Sequence, residues 1–166
     1  MDRATSVSPE YARFLYGLVG GPWHWTGRLT WPRHRWEAEL SVFGTEFLVL
    51  YRQGVPAGYV HLQPLPGEDG THVEIRYFGL VEDAIGKGLG GPLLEHGIAA
   101  AWSLPERFDL PGITRVWVHT CTLDGPNALA NYQARGLVVC GTEIERKDVA
   151  AQAPGSWTST GGPDGT

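Results

Sequence analysis

The spacing of apolar residues along the chain predicts short helices and strands in a defined order. Apolar side chains recur at helical spacing in residues 9–19, 32–40, 92–102 and 126–135. Runs typical of strands cover residues 46–52, 57–63, 71–81, 113–120 and 137–140, and a further strand up to residue 145 is left open. The predicted order is two helices, an antiparallel meander of three strands, then helix, strand, helix and strand.

Capping and turn residues support several of these boundaries. Ser8 is placed to cap the first helix, and Gly136 is placed as the residue that follows the last helix. Residues 53–56 predict a hairpin connection whose proline lies at the edge of the next strand.

Composition and charge narrow the class of protein. The chain has 166 residues, of which 42% are hydrophobic, and we expect one domain over residues 1–149 with a Gly/Ser/Thr/Pro-rich tail over 150–166. A net charge of −5 without a basic cluster argues against nucleic acid as a partner, and no apolar run is long enough to predict a membrane span. Cys121 and Cys140 form no metal-ligand pattern, so we expect free thiols, a cytoplasmic protein and no metal.

The most informative stretch is a glycine-rich turn between the third strand of the meander and the next helix. It reads Gly86-Lys87-Gly88-Leu89-Gly90-Gly91, and Pro92 suits the first helical turn. Backbone N–H groups without neighbouring Cβ atoms, together with the positive end of a helix dipole, favour a phosphate or pyrophosphate. A turn that serves only tight packing is the alternative.

Two nucleotide-binding patterns fit this turn poorly. A dinucleotide fingerprint can be found at Gly86, Gly88 and Gly91, but that fingerprint normally follows the first strand of a βαβ unit and precedes an acidic residue after the next strand. Here the turn follows a meander, and the next predicted strand ends in His119 and Thr120. The Walker pattern also fails because Lys87 is not followed by Ser or Thr.

Two motifs together resemble the GNAT superfamily of N-acetyltransferases. The segment from Ile85 to Gly90 is similar to its pyrophosphate motif Q/R-x-x-G-x-G/A, with Ile85 in place of the usual Gln or Arg. The segment from Ala128 to Leu137 is similar to the A-x-x-x-Y-x-x-x-G-F helix of the family, and Gly125 stands where an Asn often precedes it. The resemblance covers roughly residues 9–147.

The resemblance implies a layered α/β/α fold of the α+β class and acetyl-coenzyme A as cofactor. The central sheet would be mixed and mostly antiparallel, flanked by helices, with a splay between its fourth and fifth strands. The pantetheine arm would lie along the open edge of one strand, at Phe78, Gly79, Leu80 and Val81. The pyrophosphate would bind the loop formed by Gly86, Lys87, Gly88, Leu89, Gly90 and Gly91.

Acetyl transfer to an amine needs a group that accepts the amine proton. Glu74 is the candidate base, because it lies sixteen residues before Gly90, the offset of the catalytic glutamate in histone-type members of the superfamily. Partial burial between Val73 and Ile75 would raise its pKa. The alternative is a charge on a solvated face of the sheet, where Glu74 would pair with Arg76 on the same strand face by alternation.

The departing thiolate also needs a proton, and Tyr132 is the candidate acid, with an aromatic anchor for its helix as the alternative. His119 at the end of the strand over residues 113–120 is an alternative base, and Cys121 is interpreted as a small core residue with a remote role as nucleophile.

An aromatic segment between the first two helices is the candidate acceptor site. Trp23, Trp25 and Trp31 could form an apolar or cation-binding pocket, with His24 and Arg28 as polar contacts. The alternative is that these tryptophans cap the core.

Taken together, we predict an N-acetyltransferase that moves an acetyl group from acetyl-coenzyme A to a small-molecule amine by direct attack in a ternary complex. A non-catalytic acyl-coenzyme A binding or sensing module on the same fold is the alternative, and a homodimer is left open.

Overall fold

A computed structural model describes residues 1–4, 6–146 and 148, so the tail predicted for residues 150–166 lies outside the described residues. The helices are α1 (Pro9–Gly20), α2 (Arg33–Leu40), α3 (Gly90–Trp102) and α4 (Ala128–Gln133), with single 3₁₀ turns at Gly21–Trp23, Glu82–Ala84 and Leu104–Glu106. The strands are β1 (Asp2–Ala4), β2 (Glu46–Arg52), β3 (Val55–Pro66), β4 (Thr71–Leu80) and β5 (Ile113–Val118).

The strands form one mixed sheet in the order β1-β2-β3-β4-β5. All neighbours are antiparallel except β4 and β5, which are parallel and joined through α3, as a parallel crossover requires. Pairing of β4 with β5 begins at Thr71 and Ile113 and ends at Ile75 and Val118, whereas β4 continues to Leu80. The predicted splay between the fourth and fifth strands is therefore confirmed.

A β-bulge in β4 changes which residues share a face of the sheet. Tyr77 pairs with His61 and Ile75 pairs with Leu62, so Arg76 between them has no partner on β3. The extra residue shifts the alternation by one. As a result, Glu74 and Tyr77, three positions apart, lie on the same face.

Two hydrophobic cores lie on opposite faces of the sheet. Helices α1 and α2 cover one face, where the buried residues include Leu15, Tyr16, Val19, Trp36, Phe47, Tyr59 and Tyr77. Helices α3 and α4 cover the other, where they include Val60, Leu62, Val73, Ile75, Leu93, Leu94 and Tyr132. Gly97 allows α3 to approach the sheet closely, because a Cβ there would lie 3.0 Å from Cγ1 of Val60.

An ion-pair network ties the edge of the sheet to the end of α3. The Glu46 carboxylate, almost fully buried, accepts hydrogen bonds from Arg107 at 2.9 and 3.1 Å and lies 3.0 Å from Nε of Arg3. Arg107 also donates to the carbonyl groups of Ala100 and Ser103. A buried carboxylate with several charge-assisted donors is well compensated.

Several sequence predictions hold at their boundaries. The N–H of Tyr11 donates to Oγ of Ser8 at 3.2 Å, which confirms the cap of α1. The hairpin predicted at residues 53–56 forms, but its turn consists of Gln53 and Gly54 alone, with φ of 53° and 83°, because Val55 and Pro56 already pair with β2. Gly136 has φ of 83° just beyond α4, as predicted for its position.

The strand predicted at residues 137–140, with its extension to 145, is wrong, and β1 was missed. Residues 137–146 have no regular structure, and Val138 is 83% exposed. The side-chain pattern is that of a strand, but a strand also needs backbone pairing, which this segment does not make. Conversely, β1 is stabilised by pairing with β2, although its three residues carry no strand signal of their own.

Candidate active site

The diverging part of β4 holds the residues predicted to line the cofactor. Phe78, Gly79 and Leu80 lie beyond the last pair with β5, and Val81 follows directly. The N–H of Val81 donates to the carbonyl of Ala57 at 2.9 Å, so its amide faces β3. By alternation, the amides of Phe78 and Leu80 face the open side of the splay.

Gly79 has a packing reason that the sequence did not show. A Cβ at this position would lie 2.6 Å from Cγ1 of Val19, at the end of α1. The glycine therefore lets the end of α1 approach the sheet beside the open strand edge, close to the splay.

The glycine-rich loop connects the open strand edge to α3. Gly86 and Gly88 have φ of 75° and 73°, a left-handed conformation that favours glycine, and a Cβ on either would meet nothing within 4 Å. Lys87 folds back to the carbonyl of Asp83. Helix α3 begins at Gly90 after Leu89, whose side chain makes no capping hydrogen bond, so the first amides of α3 are not capped by a side chain.

Arg135 lies over the first turn of α3, and sequence reasoning missed it. A Cβ on Gly91 would lie 1.8 Å from Nη2 of Arg135, so the guanidinium occupies the space above this glycine. Its Nε lies 3.3 Å from Oε1 of the exposed Glu95. The guanidinium thus adds a positive charge at the positive end of a helix dipole, an arrangement that favours a bound anion. The only sequence signal was a cation directly before the helix-ending Gly136.

Tyr132 and Phe78, both predicted site residues, are brought together by the fold. Their rings pack edge to face with centroids 5.9 Å apart. Burial, reinforced by the carboxylate of Asp124, raises the pKa of the Tyr132 phenol well above its usual range. The phenol is therefore neutral and can donate a hydrogen bond. Its contact with Phe78 shows that the ring also anchors α4 to the sheet.

Glu74 is paired with Arg76, as the structural alternative expected, but it is buried and does not lie on a solvated face. Nη1 of Arg76 lies 3.1 Å from Oε2 and 3.4 Å from Oε1 of Glu74. Only 6% of Glu74 is exposed. The carboxylate is thus held in one orientation by a charged partner.

Glu39 on α2 is a second buried acid at this place, and sequence reasoning missed it. Nε of Arg76 donates to its Oε1 at 2.9 Å and Nη2 to its Oε2 at 3.3 Å, while the hydroxyl of Tyr77 donates to Oε1 at 3.1 Å. Arg76 therefore bridges two buried carboxylates. Glu39 follows the buried Trp36 by three positions, which places both on the helix face toward the sheet and could have identified it.

The aromatic segment belongs in large part to the core on the α1–α2 face. Trp25 packs on Tyr16 and Tyr77 at 5.5 and 5.8 Å between ring centroids, and Trp31 packs on Trp36 at 5.5 Å. This supports the capping interpretation for these two tryptophans.

The remaining members of the segment differ in their surroundings. Trp23 faces the loop before α4, where a Cβ on Gly125 would lie 3.3 Å from its Cη2. His24 has φ of 60°, a conformation uncommon outside glycine. Arg28 stacks over two rings, with Cζ 4.9 Å from the centroid of Trp31 and 5.1 Å from that of Tyr77.

An open groove lies between α2 and the sheet, next to the paired acids. Its lining consists of Trp31, Arg35, Ala38, Glu39, Val42 and Gln63. Gln63 is the register partner of Glu74 on β3, and Nε2 of Gln63 donates to the carbonyl of Glu39 at 3.2 Å. The groove therefore adjoins both carboxylates and includes one member of the aromatic segment.

His119 and Cys121 do not lie on a strand, contrary to the prediction. β5 ends at Val118, and both residues are exposed on the following loop. The carboxylate of Asp124 accepts hydrogen bonds from Thr120 and from the N–H of Cys121, at 2.7 and 3.1 Å. This side-chain turn draws the backbone out of the sheet, which explains why the strand stops early. Cys121 is accordingly not a core residue.

His61 is a buried polar group on the same face as Glu74. Burial lowers the pKa of its imidazole to about 3, and the guanidinium groups of Arg76 and Arg28 act in the same direction. Its ring stacks on Phe47 at 4.1 Å, and neither nitrogen has a hydrogen-bond partner within the described part of the chain. The imidazole is therefore neutral.

Within residues 1–4, 6–146 and 148, no group of three or more His, Cys, Asp or Glu side chains is arranged to hold a metal ion. In the same part of the chain, no helix has the length and apolar character needed to cross a membrane. Both cysteines are free and exposed.

Comparison with known proteins identifies the fold and the family. Solved structures with this fold include a transcriptional regulator from Bacillus halodurans (TM-score 0.64, 15% identity, 89% of this chain and 99% of that chain covered). They also include a ribosomal-protein-alanine N-acetyltransferase from Brucella melitensis biovar Abortus (TM-score 0.58, 15% identity, 89% of this chain and 100% of that chain covered). A third is an aminoglycoside acetyltransferase from an uncultured soil metagenomic sample (TM-score 0.57, 17% identity, 92% of this chain and 100% of that chain covered).

At 15–17% identity the similarity to these three structures shows the fold alone. The functions given in their names also differ from one another. A search of curated proteins gave no match. The model of the acetyltransferase (GNAT) family matches residues 9–137, most of the domain described above. The chain therefore belongs to the GNAT family of acetyltransferases.

Proposed function

We propose that this protein transfers an acetyl group from acetyl-coenzyme A to the amine of a small-molecule acceptor, by direct attack in a ternary complex. The observation that carries the proposal is the arrangement around the splay. An open strand edge lies between an uncapped, glycine-lined helix start and a buried phenol, and β4 itself supplies a buried carboxylate.

The residues present fit acetyl-coenzyme A. At Gly86 and Gly88 the backbone is open, because a Cβ would meet nothing within 4 Å, so a pyrophosphate can reach the loop amides without displacing protein atoms. Gly90, Gly91 and the guanidinium of Arg135 complete this site. The amides of Phe78 and Leu80 face the splay and would pair with the pantetheine arm. When bound, the cofactor supplies an acetyl thioester.

Three protein groups would handle charge and protons. An amide of the diverging β4 edge would donate to the thioester carbonyl oxygen, where negative charge develops. Glu74 would accept the proton from the acceptor amine, directly or through one water. Tyr132, kept neutral by burial, would donate its proton to the departing sulfur.

The test mixes the purified protein with acetyl-coenzyme A and a panel of amines, and measures release of coenzyme A thiol. Release that depends on an amine supports the proposal. Hydrolysis at the same rate without any amine would contradict it.

The second candidate, an acyl-coenzyme A sensor, is favoured by one observation. Both carboxylate oxygens of Glu74 accept from Nη1 of Arg76, so the group is already engaged by a cation of the protein, as in a structural ion pair. A sensor would bind acetyl-coenzyme A in calorimetry and release no thiol with any amine. A thermal-shift comparison of coenzyme A with NAD separates both candidates from a dinucleotide-binding protein.

A further inference from the structure

The charges around the groove beside α2 do not balance. Three arginines, Arg28, Arg35 and Arg76, accompany two carboxylates, Glu39 and Glu74. The groove thus carries a local positive excess in a chain whose net charge is −5. A local excess of the opposite sign to the whole protein directs an anion to that place.

Arg76 adds little to that excess, because its charge is already paired with two buried carboxylates. Its guanidinium donates to both Glu39 and Glu74. The unbalanced charge therefore belongs to Arg28 and Arg35.

Both of these guanidinium groups lie against the ring of Trp31, which lines the groove. Cζ of Arg28 is 4.9 Å from the ring centroid and Cζ of Arg35 is 5.6 Å from it. Arg28 is partly buried, and its Nε is shielded from solvent with no hydrogen-bond partner in the described part of the chain. No carboxylate of a described residue lies within ion-pair distance of either arginine.

The cost of such an arrangement points to a ligand. A shielded guanidinium donor without an acceptor is destabilising, and stacking on aromatic rings offsets only part of that cost. Stacking also holds the planar fork in place, which prepares it for two parallel hydrogen bonds to a carboxylate.

We propose that Arg28 and Arg35 bind a carboxylate of the acceptor, so that the acceptor is an amine that also carries a carboxylate, such as an amino acid. The inference rests on the proposed acetyl transfer and names the substrate class of that same site. With the carboxylate at the Trp31 end of the groove, the amine reaches the Glu39 and Glu74 end, where its proton is accepted. Arg28 and Arg35 are thus specificity-determining residues.

The experiment compares matched pairs of acceptors that differ only in the carboxylate. Glycine, β-alanine and 4-aminobutanoate are each paired with the corresponding carboxamide, and kcat/KM is measured for both members. We expect the acid of the best pair to exceed its amide at least tenfold in the wild-type protein. We expect Arg28→Gln to reduce this ratio about tenfold and Arg35→Gln to reduce it less, because the loss falls on the acid more than on the amide.

Arg33→Gln is the matched control, because it removes a positive charge from the same helix as Arg35. Arg33 is exposed and already paired with Glu10 and Glu37. The control should leave the ratio unchanged. Arg28→Lys keeps the charge without the planar fork and should restore the ratio only in part.

A binding measurement separates this inference from the proposed function. Calorimetry with the same acids and amides, in the presence of coenzyme A, reports recognition without turnover. Acids that bind through Arg28 without being acetylated would support the carboxylate site and contradict acetyl transfer. Three outcomes would overturn the carboxylate site. They are acetylation without preference for acids, an equal loss of kcat/KM for acid and amide in Arg28→Gln, and no binding of any acid in calorimetry.

Discussion

The side proposed to hold the cofactor (the cofactor side) and the groove side of this protein are built in different ways. The cofactor side uses backbone, with the loop amides at Gly86 and Gly88 and the open edge of β4, all within one continuous stretch of chain. The groove side uses side chains from α2, β4 and the segment before α2, and Arg76 joins those of α2 and β4. A backbone site is encoded by local residue choice, whereas a side-chain site depends on how distant segments pack.

The largest effect should come from the acid on β4. Glu74→Gln keeps shape and hydrogen bonding to Arg76 but cannot accept a proton as a carboxylate can, so kcat/KM for an amine should fall about 10²-fold or more. Steady-state kinetics over a pH series, with acceptors of different amine pKa, would check this. If the midpoint of the rising limb of the pH–rate profile stays the same for every acceptor, the titrating group belongs to the enzyme.

His119→Ala is the companion variant for that measurement. His119 is exposed beyond the end of β5, so we expect its removal to have little effect. An inactive His119→Ala together with a fully active Glu74→Gln would place the base on the loop that follows β5.

The next effect tests whether Tyr132 acts in chemistry as well as in packing. Tyr132→Phe keeps the edge-to-face contact with Phe78 and removes only the hydroxyl, so kcat should fall about a hundredfold with a nearly normal KM for the cofactor. Thermal unfolding of the variant checks that the fold is intact. Full activity would show that the ring serves only as an anchor.

A smaller effect tests the backbone character of the cofactor side. Gly88→Val should weaken acetyl-coenzyme A binding at least tenfold, about 1.4 kcal/mol, because the side chain enters the space that the pyrophosphate needs. Calorimetry measures the affinity directly.

Gly54→Val is its matched control. Gly54 has φ of 83° and, like Gly88, open space around its Cβ position, but it lies in the β2–β3 hairpin. Both variants should lose similar stability from backbone strain, and only Gly88→Val should lose cofactor affinity. Equal affinities in the two variants would refute the loop site.

The smallest effect concerns His61 on the α1–α2 face of the sheet and is measured as a pH dependence of the free energy of unfolding. The folded-state pKa of His61 is lowered to about 3, so as pH falls the unfolded chain binds the proton before the folded protein does. The stability that the neutral ring contributes is fully present above the unfolded pKa of about 6.5 and is lost as pH falls from there toward 3. Between pH 8 and pH 6 this amounts to roughly 1 kcal/mol. Urea unfolding at both pH values should show a smaller loss for His61→Phe than for the wild type, while exposed His34→Phe should behave as the wild type.

How far the sequence was informative follows the same division. The splay and the glycine-rich turn before α3 were predictable, because each follows from a local motif or from strand order. Glu39 was missed because its spacing from Trp36 indicates only that it lies on the buried face of α2, and not that it meets Arg76 from β4. The strand at residues 137–140 was predicted from side-chain pattern alone, and no sequence pattern reports whether a backbone edge is paired.

The bulge at Arg76 adds a cation to the strand without changing the partners of the residues on either side of it. If this one residue were deleted, Ile75 and Tyr77 would keep their partners Leu62 and His61, so every later residue of β4 would stay on its present side of a more regular sheet. The deletion would instead remove the guanidinium that separates Glu39 from Glu74. A chain one residue shorter could thus be a well-paired sheet in which two buried carboxylates face each other without a cation between them.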